Sequence, residues 1–368
     1  MSRHRPLLVL GVALMGLGAG SIGSIPADAA AGLARIATIT PTPFGLFDLT
    51  WAGTPFGKPT VFVADQSGIE AVNPRTDALI GTFGSTDFVP FGHGAAACGV
   101  IGGSGPNGVL SLTVGSSNQV WAGNGNSTVN VFTLSSPGSG TLAATVSTGG
   151  MCRADELSYD PANRVVLLAN PTETVNYVSF ISVNAQASRD KVVAKIVYPA
   201  AQGGLEQSVY DPSSGDFFLN VVQSGSNPDL GQIDVISPTS HKVVRSFPVA
   251  GCGPAGLALD PANHELLLGC GQANGVMIMD DRTGAILHTI PAVSRPDEVA
   301  FDPHTGDFVA PGRNPAGTPV LAVISARTGK VLATADLPVD GITHSVAASG
   351  GRAYVPAAGV GIEVFRIG

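Results

Sequence analysis

Charge is scarce in this chain. Of its 368 residues only 12% are Asp, Glu, Lys or Arg, and the 19 basic residues are outnumbered by 27 acidic ones, for a net charge of −8. No Lys/Arg cluster can form the basic stripe that nucleic acid requires, and binding to anionic lipid is disfavoured for the same reason. Sustained helical periodicity is missing after the N-terminal segment. There is no Cys-x-x-Cys pair and no Gly-x-Ser-x-Gly nucleophile elbow. Gly102 to Gly108 is glycine-rich but follows no βαβ pattern, so it reads as a loop rather than a phosphate cradle.

The N-terminal segment has the order of a secretory signal peptide. Arg3, His4 and Arg5 precede an uncharged apolar stretch, 7–19, and Ala27-Asp28-Ala29 offers small residues at the cleavage positions. The apolar stretch is shorter than the ~20 residues of a spanning helix. Residues 1–29 are therefore expected to be removed and 30–368 to form one exported domain, secreted or periplasmic, with no transmembrane segment and as a monomer. In an exported chain, Cys98, Cys152, Cys252 and Cys270 read as disulfides rather than metal ligands or catalytic thiols.

What is present is a repeat. Tyr159-Asp160-Pro161, Tyr210-Asp211-Pro212, Leu259-Asp260-Pro261 and Phe301-Asp302-Pro303 each end a short apolar run, and a second run follows three to five residues later. The aspartates are 51, 49 and 42 residues apart, the period of a four-stranded propeller blade. Turns such as Asp281-Arg282-Thr283-Gly284 and Ala326-Arg327-Thr328-Gly329 separate the third and fourth strands of a unit. The pattern predicts an all-β fold, a seven-bladed β-propeller with approximate blades 45–84, 108–147, 155–197, 206–248, 255–291, 297–337 and 344–368. The last unit lacks a fourth strand, and residues 33–40 are predicted to supply it, closing the ring and removing two sheet edges. An open β-sandwich is the alternative.

The units 159–170 and 301–310 resemble YVTN-type β-propeller repeats. That resemblance covers the mature chain and implies the fold; the roles of such proteins are varied.

In a propeller the links between blades share a face with the links between second and third strands. Those links, among them 84–107, 148–154, 171–177, 198–205, 223–231 and 312–318, are the long ones, so function is expected on their face. Cys98 and Cys152 lie in adjacent links there, while Cys252 and Cys270 flank one hairpin, which favours the pairs 98–152 and 252–270 over free thiols.

Counting back four residues from each repeat Asp reaches Glu156, Gln207, Gly256 and Glu298, and one step further Asp155, Glu206, Ala255 and Asp297. Extending the register adds Asp48, approximately Ser111, and His344. Asp48, Asp155, Glu156, Gln207, Glu298 and His344 are thus expected to rim the axis. Crowded carboxylates stay solvated, share protons or bind a cation; oxygen donors suit Ca²⁺ or Mg²⁺, and His344 admits Mn²⁺ or Zn²⁺. Trp51 and Trp121 read as blade packing.

The runs 205–211 and 296–302 also resemble inner-strand starts of the gluconolactonase/senescence-marker propellers. That resemblance implies Glu206, Asp297 and Asp155 as ligands of a divalent metal that polarises a lactone or ester carbonyl. The family's metal-binding Asn has no clear counterpart in this chain, and that family has six blades rather than seven. Two functions follow: a binding module for a small molecule, protein or glycan on the long-loop face, or a metal-dependent lactonase-like hydrolase.

Overall fold

A computed structural model of the chain describes residues 33–41, 44–45, 47–89, 98, 106–227, 229–271, 275–338 and 343–368. The expected signal peptide lies outside them. Seven four-stranded antiparallel sheets make up the fold, which is the all-β propeller expected from the repeat. The described helices are two single 3₁₀ turns, Pro55–Gly57 and Ala187–Arg189, and none is long and apolar enough to cross a membrane.

Within a blade, burial follows position. The inner strands are Phe47–Gly53, Val109–Val114, Leu157–Asp160, Ala201–Asp211, Pro254–Asp260, Ala300–Asp302 and Ala347–Ala348. Second strands are covered on both faces by neighbouring blades, so Val165–Asn170 is buried throughout and is apolar up to its last residue, Asn170. Outer strands face solvent on one side; Lys191–Tyr198 accordingly alternates exposed and half-buried residues. Seven apolar clusters result, one at each blade–blade interface.

The repeat Asp shapes the hairpin between first and second strands. Asp160 Oδ1 accepts the N–H of Ala162 at 2.8 Å and of Asn163 at 3.1 Å, and Asp211 and Asp260 hold their turns in the same way. Pro at the next position presets the turn φ. Asp302 also accepts the Gly351 N–H at 2.8 Å, tying blade six to blade seven.

Ring closure follows the expected route. Ala34–Ile39 pairs antiparallel with Gly361–Arg366 and forms the outer strand of blade seven. The Arg35 guanidinium and the Thr38 hydroxyl both reach the buried Glu363 carboxylate, each at 2.7 Å. The disulfides are the two expected, Cys98–Cys152 between adjacent blade connections and Cys252–Cys270 within blade five.

Removing residues 33–40 from the mature protein exposes the Gly361–Arg366 edge and strips Glu363 of both partners. Tm is expected to fall by about 10 °C, each kcal/mol being worth roughly 2–4 °C in a large domain; calorimetry checks it, and an unchanged Tm would contradict closure by this strand. A second test concerns pH. Burial raises the Glu70 carboxyl to about 7, with the Thr82 hydroxyl pulling it down and Asp65 pushing it up. Its folded pKa lies above its unfolded one, so stability is full below about 4.5 and declines as pH rises through about 7. Glu70→Gln should raise Tm at pH 8 and leave it nearly unchanged at pH 4, since an amide oxygen still accepts from Thr82.

Candidate functional site

The inner strands share an irregularity just where the acidic residues stand. In blade three, the Asp155 N–H donates to the Ala169 carbonyl at 3.0 Å and the Ala169 N–H donates to Glu156 O at 3.1 Å, so one residue faces two. The same two-against-one bulge puts Asp48-Leu49, Glu206-Gln207 and Ala255-Gly256 at the register shifts of blades one, four and five. Asn107-Gly108 does so in blade two through Gly123. In blades six and seven the facing residues are Pro311 and Pro356, which have no N–H to complete the pattern; the Glu298 N–H instead donates to His344 O of the next blade at 2.9 Å. Bulges re-aim side chains, and here they turn adjacent residues toward one end of the axis.

This register refines the ring. Its first places are Asp48, Asn107, Asp155, Glu206, Ala255, Asp297 and His344, and its second places are Leu49, Gly108, Glu156, Gln207, Gly256, Glu298 and Ser345. Asp48 and His344 thus align with Asp155 rather than with Glu156, and blade two contributes Asn107 rather than Ser111. Those units lack the Asp-Pro marker from which to count. The break in the ring has a steric cause: a Cβ on Gly256 would come within 2.5 Å of the Asp297 carbonyl oxygen.

Six carboxylates, those of Asp48, Asp155, Glu156, Glu206, Asp297 and Glu298, act on one another here, together with two basic side chains. One is His344, whose Nδ1 lies 3.2 Å from Asp297 Oδ2 and 3.4 Å from Glu298 Oε2. The other is Arg153, absent from the expected set. Its guanidinium bridges Asp48 of blade one and Asp155 of blade three, the latter at 2.6 Å. The Arg153 backbone is held by its neighbour's disulfide, by Asn170 Nδ2 donating to Arg153 O at 2.8 Å, and by Glu173, which accepts the N–H groups of Met151 and Cys152. Its signal in the sequence was its place between a disulfide Cys and an acidic pair in a chain with few cations.

Burial and crowding set the protonation. Burial, then Glu298, then Asp155 push Glu156 well above the ordinary carboxylate range. Burial likewise raises Asp155, against the pull of Arg153, and raises Glu206 with help from Asp297. Burial raises Glu298 although His344 draws it down. Asp297 is half-open to solvent in a concave mouth; burial pushes its pKa up, but the His344 hydrogen bond and charge bring it below normal. Burial works against a charged His344, yet Glu298 and Asp297 raise it well above the usual imidazole value.

Asp155 Oδ2 and Glu156 Oε2 are buried and have no hydrogen-bond partner among the described residues. Asp48, Glu298 and His344 each offer one ligand atom within 4.8 Å of the others. Glu206, Asp297 and Asp155 share the ring without forming such a close trio. Gln207 stands apart. Its Oε1 accepts the N–H of Leu257 at 2.7 Å and of Val299 at 3.2 Å, and its Nε2 donates to Val299 O, so the amide joins blades four, five and six. A cavity of about 410 Å³ opens beside the cluster with Arg153 and Glu206 in its wall, between the links that carry Thr172 to Asn176 and Tyr198 to Gly204.

Replacing Arg153 with Met leaves the fully buried Asp155 without its counter-charge. Loss of one partner of a buried pair costs about 3–5 kcal/mol. The expected drop in Tm is larger at pH 8 than at pH 5, because protonated carboxyls need no cation; an equal drop at both values would contradict the electrostatic role.

No family profile matches the chain, and no curated protein matches it. A chain in the crystal structure of the mitotic checkpoint complex is similar in structure, with a TM-score of 0.63 at 14% identity, over 98% of this chain and 99% of that one. A likeness at that identity carries the propeller fold alone, and the fold is consistent with a binding role.

Proposed function

We propose that this protein is an exported propeller of YVTN-type repeats that binds a small molecule, or a polar group of a protein or glycan, at its long-loop face around an axial divalent cation. The observation that carries this reading is the charge imbalance: six mutually interacting carboxylates against Arg153 and His344, with Asp155 Oδ2 and Glu156 Oε2 buried and unpartnered. Protons meet that imbalance in the free protein, and a cation would meet it better, since desolvated like charges favour whatever neutralises them. Asp48, Glu298 and His344 are the closest donor set, and the neighbouring carboxylates would supply outer-sphere charge. The cavity beside Arg153 and Glu206 is the natural access for a ligand. Export is supported by the signal-peptide pattern and by two disulfides, which persist in oxidising compartments.

A lactonase-like hydrolase is the second reading. Asn107, between the ring places of Asp48 and Asp155, favours it, since a metal that polarises a carbonyl takes oxygen donors.

The test is calorimetric titration of the chelator-treated mature protein with Ca²⁺, Mg²⁺, Mn²⁺ and Zn²⁺. One of them should bind and raise Tm, by about 2.7 kcal/mol of added stability at a hundredfold excess over Kd. Glu298→Gln and Asp48→Asn should each weaken binding at least about tenfold, the loss of roughly 1.4 kcal/mol. Absence of binding by all four metals would remove the proposal. Lactone turnover that needs the metal and vanishes in His344→Ala would select the hydrolase.

A further inference from the structure

The other end of the axis is built differently. Beyond Gln207 the bore widens into a cavity of about 720 Å³ that reaches the Asp-Pro turns, and the four repeat prolines, Pro161, Pro212, Pro261 and Pro303, line its mouth. Every described residue in its wall is uncharged. Three of the wall hydroxyls are already bonded: Ser158 and Ser208 lie 2.7 Å apart, and Thr50 accepts from Ser345 at 2.9 Å. The Gln207 amide is engaged with backbone, as described above. What the cavity offers to a guest is mainly carbon surface, with a few hydroxyls.

That surface is lopsided, and the repeat explains why. The residue before each repeat Asp lines the bore while packing against a blade interface: Tyr159, Tyr210, Leu259 and Phe301 in blades three to six. The equivalent places in blades seven, one and two hold Ala348, Ala52 and Ser111. Four bulky side chains in consecutive blades therefore form a crescent, and three small ones leave open space opposite. The four bulky side chains are half-buried. Two of the rings are backed by aromatic neighbours, Tyr210 by Phe217 and Phe301 by Phe308, each pair with centroids 5.3 Å apart. Backing of this kind lowers the entropy lost when a ligand stacks on them. Trp51 adds a fourth aromatic side chain, on the small-residue side.

We infer that this bore is a second binding site, for an uncharged planar aromatic small molecule. A volume of this size falls within the roughly 300–1,000 Å³ of small-molecule sites, which are mostly apolar with few polar groups. Flat ligands suit a crescent of rings, because offset stacking and edge contacts add to area burial. A charged ligand would lose its hydration without compensation. The site is independent of the acidic cluster, from which Gln207 and its backbone partners separate it.

The experiment uses the intact mature protein and N-phenyl-1-naphthylamine, an uncharged aromatic probe whose emission rises in apolar surroundings. Saturable one-to-one binding is expected. Ala52→Phe and Ala348→Phe fill the open side and should each weaken binding at least about tenfold, the loss of roughly 1.4 kcal/mol. Should a filled variant misfold by near-ultraviolet circular dichroism, Tyr210→Ala, which trims a half-buried side chain, is expected to weaken binding to a similar extent. Glu298→Gln should leave probe affinity unchanged, so failure of the cation proposal and failure of this one are separable. Absence of saturable binding, or affinity unaffected by the folded variants, overturns the inference; loss of binding in Glu298→Gln overturns its independence.

Discussion

Seven inner strands converge on one axis, and whatever their first residues carry is forced into a small, poorly solvated volume. Here those residues are chiefly acidic. Like charges at such separations in a low dielectric cannot all ionise, so protons, Arg153, His344 or an external cation must share the task of neutralisation. The rest of the site depends on this. The break in pairing at each inner strand, a bulge in blades one to five and a facing Pro in blades six and seven, lets Asp155 and Glu156, or Asp297 and Glu298, contribute together. Arg153 enters from a blade connection because the ring itself offers His344 as its one basic member. Gly256 leaves the gap that the neighbouring Asp297 carbonyl requires.

The axis is thereby polar at one end and apolar at the other, with Gln207 between. This amide occupies a place that Glu156 and Glu298 fill with carboxylates in blades three and six, yet its hydrogen bonds run to backbone groups of two other blades. It acts as a floor rather than as a ligand. The polar end lies among the long connections and is stiffened by Cys98–Cys152, which fixes the segment leading into Arg153. The apolar end lies among short, similar turns whose aspartates are turned inward to cap backbone N–H groups. One repeat motif thus serves three purposes at successive positions: the bore-facing residue, the turn-capping Asp and the rim Pro.

Closure gives this arrangement its rigidity. A propeller whose last blade lacks an outer strand would present an open sheet edge, and Ala34–Ile39 covers it while satisfying the buried Glu363. Near the axis the same junction is sealed by Ser345, which donates to the Thr50 hydroxyl and accepts the Thr50 N–H. The last and first blades are therefore joined at both rims, and side chains on opposite sides of the axis keep their separation.

Much of the fold was legible because its signals are local. Asp-Pro turns, alternating outer strands and largely apolar second strands each follow from one residue and its near neighbours. An acidic ring could be counted from the repeat wherever Asp-Pro supplied a marker, as at Glu156, Glu206, Asp297 and Glu298. In units one, two and seven the marker is missing, so Asp48 and His344 were offset by one place and Asn107 was missed. Arg153 belongs to no repeat position, and its partner Asp48 lies 105 residues away; no spacing rule reaches that far. By itself the sequence determined the repeat, the turn chemistry and the excess of acid, since these rest on residue type and near neighbours; it favoured the two disulfide pairs only by way of the expected ring, since Cys98 and Cys152 are 54 residues apart. Only the tertiary structure decided which carboxylates meet Arg153, that Gln207 bonds to backbone, and that a crescent of rings faces an open bore, because a closed ring makes neighbours of residues that the chain keeps far apart.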